Sequence, residues 1–198
     1  MAVAKAAMDT GVATRPITDW EAYREKLTQL HARSTMVMRP LFSYAKTDPK
    51  RIVYCEAEED HVLRAVQMVL DEKIARPILI GRREVVTTRI KRLRLDMKEG
   101  EDYELVDPQD DPRYKSYWET YHRIMERRGV TPAVAKMMVR TQPSAIGALM
   151  VQMGHADAII AGAVGAFQDH MHHIVDIIGL KPGVETAAAL RAILLPKG

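Results

Sequence analysis

The 198-residue chain is 47% hydrophobic and 28% charged, ordinary proportions for a soluble globular protein with enough core for one large domain, or one domain and an appendage. Lys plus Arg number 29 against 26 for Asp plus Glu, so the pI near 9.0 reflects a surplus of only +3 and excludes a polybasic nucleic-acid surface. The single cysteine, Cys55, excludes an intrachain disulfide framework. No apolar stretch reaches the roughly 20 residues of a membrane span, and the first residues lack the h-region of a signal peptide, so the expected location is the cytoplasm.

Ala2 to Met8 is alanine-rich and closes near Gly11, the C-terminal signature of a helix whose beginning is missing. Thr18 opens a capping box with Glu21, after which Trp20, Tyr23, Leu27 and Leu30 fall on one helical face. The polar segment His31 to Thr35 reads as a hinge, and Pro40 suits the first turn of another helix over Leu41 to Ala45.

From Arg51 the pattern alternates. Ile52 to Cys55 reads as a strand, Val62 to Leu70 as a helix, Pro77 to Ile80 as a strand stopped by Gly81, Val85 to Leu93 as a helix, and Tyr103 to Val106 as a strand. Strands spaced by helices of this length imply a parallel sheet covered on both faces. Pro112 to Arg128 is a helix with Tyr114, Tyr117, Trp118 and Tyr121 along one side, a stripe that serves either the core or an interface. Pro132 and Pro143 open two methionine-rich helices. After Gly179 and the Pro182-Gly183 turn, Glu185 to Ala189 reads as a short helix and Arg191 to Leu195 as a closing strand. A chain that stops just after a strand leaves its sheet to be covered by a partner or by an absent remainder.

The organising stretch is Gly154 to Asp176. Ala158 to Ala161 is a short apolar run that reads as a buried central strand, Gly162 and Gly165 permit positive φ or close backbone approach, and a helix from about Phe167 aims free N–H groups at the same turn. Strand, glycine turn and helix N-terminus form an anion pocket in some α/β proteins, and in others serve only close packing. The helix carries Asp169, His170, His172 and His173. Asp169 and His173 share a face and fit a metal in principle, but no second ligand cluster accompanies them, so hydrogen-bonded or interface histidines are the expectation.

Glu56, Glu58, Glu59 and Asp60 open the helix after the first strand, where negative charge suits the helix dipole; alternatively they mark the ligand-binding edge of the sheet beside Gly162. Arg82, Arg83, Arg89, Lys91, Arg92 and Arg94 make a basic helix, either a solvated face or a holder of phosphates. Cys55, in an apolar run without a nearby base, reads as a buried and inert thiol.

G-H-A-D-A-I-I-A-G-A, the following Asp169, the upstream S-A-I-G-A-L-M-V-Q-M helix and R-I-V-Y-C-E-A-E-E-D-H-V-L-R-A-V together resemble the phosphate acetyltransferases, which exchange acetyl groups between coenzyme A and phosphate. The resemblance covers residues about 34 to 198 and roughly the first half of that family's fold. It implies a three-layer α/β/α architecture with a mostly parallel sheet, akin also to the isocitrate and isopropylmalate dehydrogenases. This chain departs from the family's pattern at three places. Gly165-Ala166-Phe167 stands where the transferases carry a His-Ser/Thr-Thr stretch, and His172 and His61 stand where they carry arginines. A neutral imidazole is a poor substitute for the permanently charged fork of arginine.

Met1 to Ile17 resembles the closing helix of the dehydrogenase domain in bacterial multidomain malic enzymes, which carry an acetyltransferase-like domain at this place. The resemblance divides the chain into the end of that domain over 1–17, connecting helices over 18–48, and the acetyltransferase-like domain over 49–198. It implies a regulatory and oligomerising role without transferase activity, the alternatives being an active phosphate acetyltransferase or a purely architectural domain, with malate oxidation to pyruvate carried out by a catalytic domain in cis that binds NADP and a divalent metal (Mg or Mn). The fragment itself is expected to hold no cofactor, no metal and no catalytic residue. Its expected partners are copies of itself and acetyl-CoA as effector, contacted by Gly162, Ala163, Gly165, Asp169 and His172.

Overall fold

The computed structural model describes residues 2–13 and 17–188, and of residues 2, 25–37 and 39 the backbone alone. The described residues fall into two compact units, one ending at Ser43 and the other Tyr44–Ala188.

In the first unit, helix α1 spans Ala2–Asp9 and ends as its sequence predicts, with Gly11 at φ +71° and its N–H donating to the Met8 carbonyl at 3.1 Å. Helix α2 spans Trp20–Thr47. Its cap is Asp19, not Thr18: Asp19 Oδ1 accepts from the N–H groups of Glu21 and Ala22 at 2.9 and 3.0 Å. The helix begins at Trp20, so the residue beside it, with a short carboxylate in reach of the first free amides, takes the capping role. The expected hinge at 31–35 is helical backbone. Pro40 lies inside α2 and does not open a new helix; it removes one intrahelical N–H, and the bonds on either side carry the helix past it. The side chains of Leu27 and Leu30 lie outside the described residues.

The second unit holds strands β1 (Lys50–Tyr54), β2 (Ala75–Ile80), β3 (Glu104–Val106) and β4 (Ala158–Ile160). Its helices are α3 (Asp60–Glu72), α4 (Arg83–Leu93), α5 (Tyr114–Met125), α6 (Pro132–Thr141), α7 (Pro143–Gln152) and α8 (Phe167–Ile178), with a 3₁₀ turn at Glu126–Arg128. Among the described residues the sheet is all parallel, in the order β3-β2-β1-β4. The strand expected to be central is therefore at the edge of the described sheet. The expected strand at 191–195 lies outside the described residues. Residues 185–188 are not helical, since a stretch of that length cannot nucleate a helix alone; Ala189 is not described.

The strands are short apolar runs because both faces are covered. Val53, Cys55, Ile78, Ile80 and Val106 face α5, α6, α7 and α8, while Tyr54, Leu79 and Leu105 face α3 and α4. This gives three layers, helices on both sides of the sheet. The aromatic stripe of α5 divides: Tyr117 and Tyr121 are core, whereas Tyr114 and Trp118 are half-buried at its border. Helix α7 is buried from Ser144 to Met150 and is apolar nearly all round, as a helix enclosed by a sheet and other helices must be. A Cβ built at Gly147 would stand 2.7 Å from Ile159 Cδ1 and 2.8 Å from Cys55 Sγ, so the missing side chain is what lets α7 lie against β1 and β4.

Strand β4 is tied to β1 at its entry by Arg51. The Arg51 N–H and guanidinium donate to Asp157, with contacts of 2.8 Å from the backbone and 2.9 Å from Nη2, while its other guanidinium N–H groups reach the carbonyls of Gly154 and His155 at 3.0 Å. The hydrogen bonds from Arg51 hold the Asp157 carboxyl down, from its ordinary 3.8 to about 2.

Two outcomes follow from this packing. Gly147→Ala should destabilise the fold by about 1 to 3 kcal/mol, the usual cost of overpacking a filled core, as read from the urea unfolding midpoint. Because the Asp157 pKa is depressed, its stabilisation is complete above the ordinary carboxylate pKa and is lost as pH falls through about 2. Asp157→Asn should accordingly flatten the acid limb of stability between pH 4 and 2, measured by the same midpoint; an unaltered limb would show that the clasp does not couple to folding.

Candidate functional site

The chain steps outward from β1 to β2 to β3 and then returns to the other side of β1 with β4, leaving a crevice at the carboxyl ends where the winding reverses. There a cavity of about 430 Å³ opens. Each strand contributes the residues that follow it: Cys55 and Glu56 after β1, Gly81 and Arg82 after β2, Pro108 after β3, Val164 and Gly165 after β4. The first turns of α7 and α8 close it with Ser144 and with Asp169 and His170.

The glycine turn is held from inside the sheet. Gly162 and Gly165 sit at φ +102° and +95°, backbone that favours glycine. The Gly162 N–H donates to Glu56 Oε1 at 3.0 Å, and His170 Nε2 lies 2.7 Å from the Val164 carbonyl oxygen. A carbonyl only accepts, so Nε2 carries the proton. His170 Nδ1 is enclosed 3.6 Å from Glu56 Oε1 and has no hydrogen-bond partner among the described residues. A Cβ at Gly165 would meet His170 Nε2 at 3.2 Å, so the second glycine makes room for the ring.

Four carboxylates of the lining, Glu56, Glu58, Glu59 and Asp169, outnumber two guanidinium groups, Arg82 and Arg140. Glu58 is engaged by Arg82 at 2.9 and 2.7 Å, and these hydrogen bonds lower its pKa. Arg140 has no carboxylate partner among the described residues and lies 4.7 Å over the Tyr114 ring. Burial pushes the Cys55 thiol well up, so the lining sulfur stays protonated, as expected of an inert thiol.

Of the residues singled out in the sequence, Gly165 and Asp169 line the cavity. Gly162 and Ala163 are exposed in the turn beside it, Gly162 with its amide turned to Glu56. His172 points elsewhere: its side chain is 74% exposed, and Nε2 meets Asp176 Oδ2 at 2.9 Å, a carboxylate also paired with Arg128. The imidazole at the cavity is His170. Helical side chains lean toward the N-terminus, so a residue in the first turn covers the preceding loop, and this rule singles out 170 over 172. His173 is half-buried, and desolvation followed by the neighbouring His172 lowers its pKa. No group of three or more metal-ligating side chains exists among the described residues. His61 is exposed on α3 and does not line the cavity. The basic run after β2 is largely committed to acids, with Arg82 on Glu58, Arg83 on Glu99, and Arg89 and Arg92 on Asp60.

Glu56→Ala removes the acceptor of the Gly162 amide. Hydrogen exchange at that amide should then accelerate by roughly tenfold, the loss of one hydrogen bond to a charged group, while Glu56→Gln, which keeps a carbonyl acceptor, should fall between the two.

The family model described as phosphate acetyl/butaryl transferase matches residues 36–198. The chain is 48% identical over 197 residues to the NADP-dependent malic enzyme of Haemophilus influenzae and 43% identical over 198 residues to the NAD-dependent malic enzyme of Rhizobium meliloti. Both matches take in the whole of this chain and 26% of the relative, so the chain spans about a quarter of the length of these curated relatives. Among solved structures, a phosphotransacetylase from Streptococcus pyogenes superposes with a TM-score of 0.66 at 25% identity, over 75% of this chain and 45% of that one. With the matched segment running from within α2 through the glycine turn and beyond, the chain belongs to the phosphate acetyl/butaryl transferase family.

Proposed function

We propose that this chain is the acetyltransferase-like part of a bacterial multidomain malic enzyme, and that it regulates and assembles the enzyme without transferring acetyl groups. The observation that carries this reading is the 48% identity to malic enzymes over the full chain, including the α1 segment that precedes the family match. The parent then oxidises and decarboxylates malate to pyruvate in a separate catalytic domain, in the cytoplasm. In this reading NADP and a divalent metal belong to that domain, as the name of the Haemophilus influenzae relative, an NADP-dependent malic enzyme, supports for the dinucleotide.

The effector of this reading is acetyl-CoA, a product signal downstream of pyruvate, seated in the cavity at the strand ends. Inhibition is then a difference in effector affinity between two quaternary states of a homo-oligomer. Family membership favours a second reading, active acetyl transfer to phosphate. That chemistry requires donors aimed at the thioester oxyanion and a cationic clamp for phosphate. Gly165-Ala166-Phe167 supplies no hydroxyl, Phe167 is exposed, and the cavity carries more carboxylates than guanidinium groups.

Isothermal titration of the full-length protein with acetyl-CoA, beside an assay for acetyl phosphate, separates the readings. Binding without acetyl phosphate is expected. Acetyl phosphate formation would instead support the transferase. Gly162→Val and Gly165→Val, at positive φ, should abolish the response of malate oxidation to acetyl-CoA while the oligomer elutes unchanged on size exclusion; full regulation in both variants would refute the seat at the glycine turn.

A further inference from the structure

Outside the acidic cavity, on the border of α5 and α6, lies a hollow of opposite character. It is lined by Tyr114, Lys115, Trp118, Lys136, Met137 and Arg140, three cations and no acid. Lys136 and Arg140 are four residues apart and so share one face of α6. Neither has a carboxylate partner among the described residues; Lys115 is paired with Glu119 at 3.8 Å. Each of the two unpaired cations rests on an aromatic face, Lys136 Nζ 4.5 Å from the Trp118 ring centroid and Arg140 Cζ 4.7 Å from that of Tyr114. The Tyr114 hydroxyl also donates to the Lys136 carbonyl at 3.0 Å, fastening the two helices at this point.

This arrangement suits an anion. Packing against a ring uses the face of a guanidinium and leaves its in-plane N–H groups free for phosphate oxygens. Ring support also restricts two long side chains in advance, so less freedom is lost on binding. Arg140 lines both the hollow and the cavity, which makes the two spaces neighbours. A ligand lying across them meets phosphate-binding cations at one end and carboxylates at the other, so it must be anionic at the first and uncharged at the second.

We propose that Lys136 and Arg140 form a phosphate subsite, holding the phosphorylated end of an acyl thioester whose acyl end enters the cavity, with Tyr114 and Trp118 as positioning residues. This rests on the acetyl-CoA reading for the identity of the acyl end, and on the hollow alone for the phosphate end.

The test compares three probes on the full-length protein by titration: acetyl-CoA, acetyl-pantetheine, which lacks the phosphates, and inorganic pyrophosphate. Lys136→Ala and Arg140→Gln should each weaken acetyl-CoA and pyrophosphate by about tenfold or more, the worth of a charge-assisted hydrogen bond, and leave acetyl-pantetheine unaltered. Lys136→Arg, which keeps the charge, should retain most of the affinity. Trp118→Leu should raise the dissociation constant of pyrophosphate without altering that of acetyl-pantetheine. Unchanged pyrophosphate and acetyl-CoA affinities in the Lys136→Ala, Arg140→Gln double variant would overturn the subsite. So would equal losses for acetyl-CoA and acetyl-pantetheine, which would indicate damage to the cavity. Wild-type protein that binds pyrophosphate through these residues but ignores acetyl-CoA and acetyl-pantetheine would keep the subsite and overturn the acetyl-CoA reading.

Discussion

The pairing of β4 with β1 is the constraint on which the second unit depends. Three residues of β4 are in register with Ile52, Val53 and Tyr54, too few to hold a strand by ladder hydrogen bonds alone. Side chains fasten both ends. At the entry Arg51 grips Asp157 and the carbonyls of Gly154 and His155; at the exit Glu56 accepts the Gly162 amide. Both fastenings span more than a hundred residues of sequence, so each closes a very long loop. The glycine turn and α8 inherit their position at the cavity from this pairing, because both leave directly from β4.

Helix α7 is the second determinant of that geometry. It packs on the sheet at a position where neighbouring side chains leave no space for a methyl group, and its first turn brings Ser144, buried to 2% exposure, to the cavity. The same closeness places α6 immediately before it, with one residue, Gln142, between the two helices. Arg140 thus emerges at the junction of the acidic cavity and the basic hollow. The local charges are separated in space as well as in sign: carboxylates cluster where helices begin after strands, which suits the helix dipole, and Arg140 sits in the last turn of α6, which suits the opposite pole.

The chain shares the backbone of its family's fold, while the side chains of the glycine turn differ from the transferase pattern. Backbone features are present: the parallel order, the switch point beside β1, two glycines at positive φ and a helix that starts behind them. The hydroxyl donors expected from the transferase pattern are absent, and the position next to the helix start is an exposed phenylalanine. Fold and chemistry separate readily in this way, because the sheet is specified by core side chains and the reaction by a handful of loop residues.

The sequence alone determined the layer structure. Short apolar runs stopped by glycine, helical spacing in between, and prolines at helix starts identify four strands and six helices of the second unit to within a few residues, because periodicity and backbone restriction are local properties. The glycine turn was legible for the same reason: positive φ requires glycine whatever surrounds it. The failures were also local signals overruled by context. A polar stretch at 31–35 and a proline at 40 look like breaks, yet one helix runs through both; Thr18 looks like a cap, yet Asp19 is nearer the first free amides. Tertiary structure alone decided that β4 is an edge strand of the described sheet and that Arg140 joins two spaces of opposite charge. Those facts depend on which distant elements pack together, and residue spacing along one chain carries no record of distance between elements a hundred positions apart.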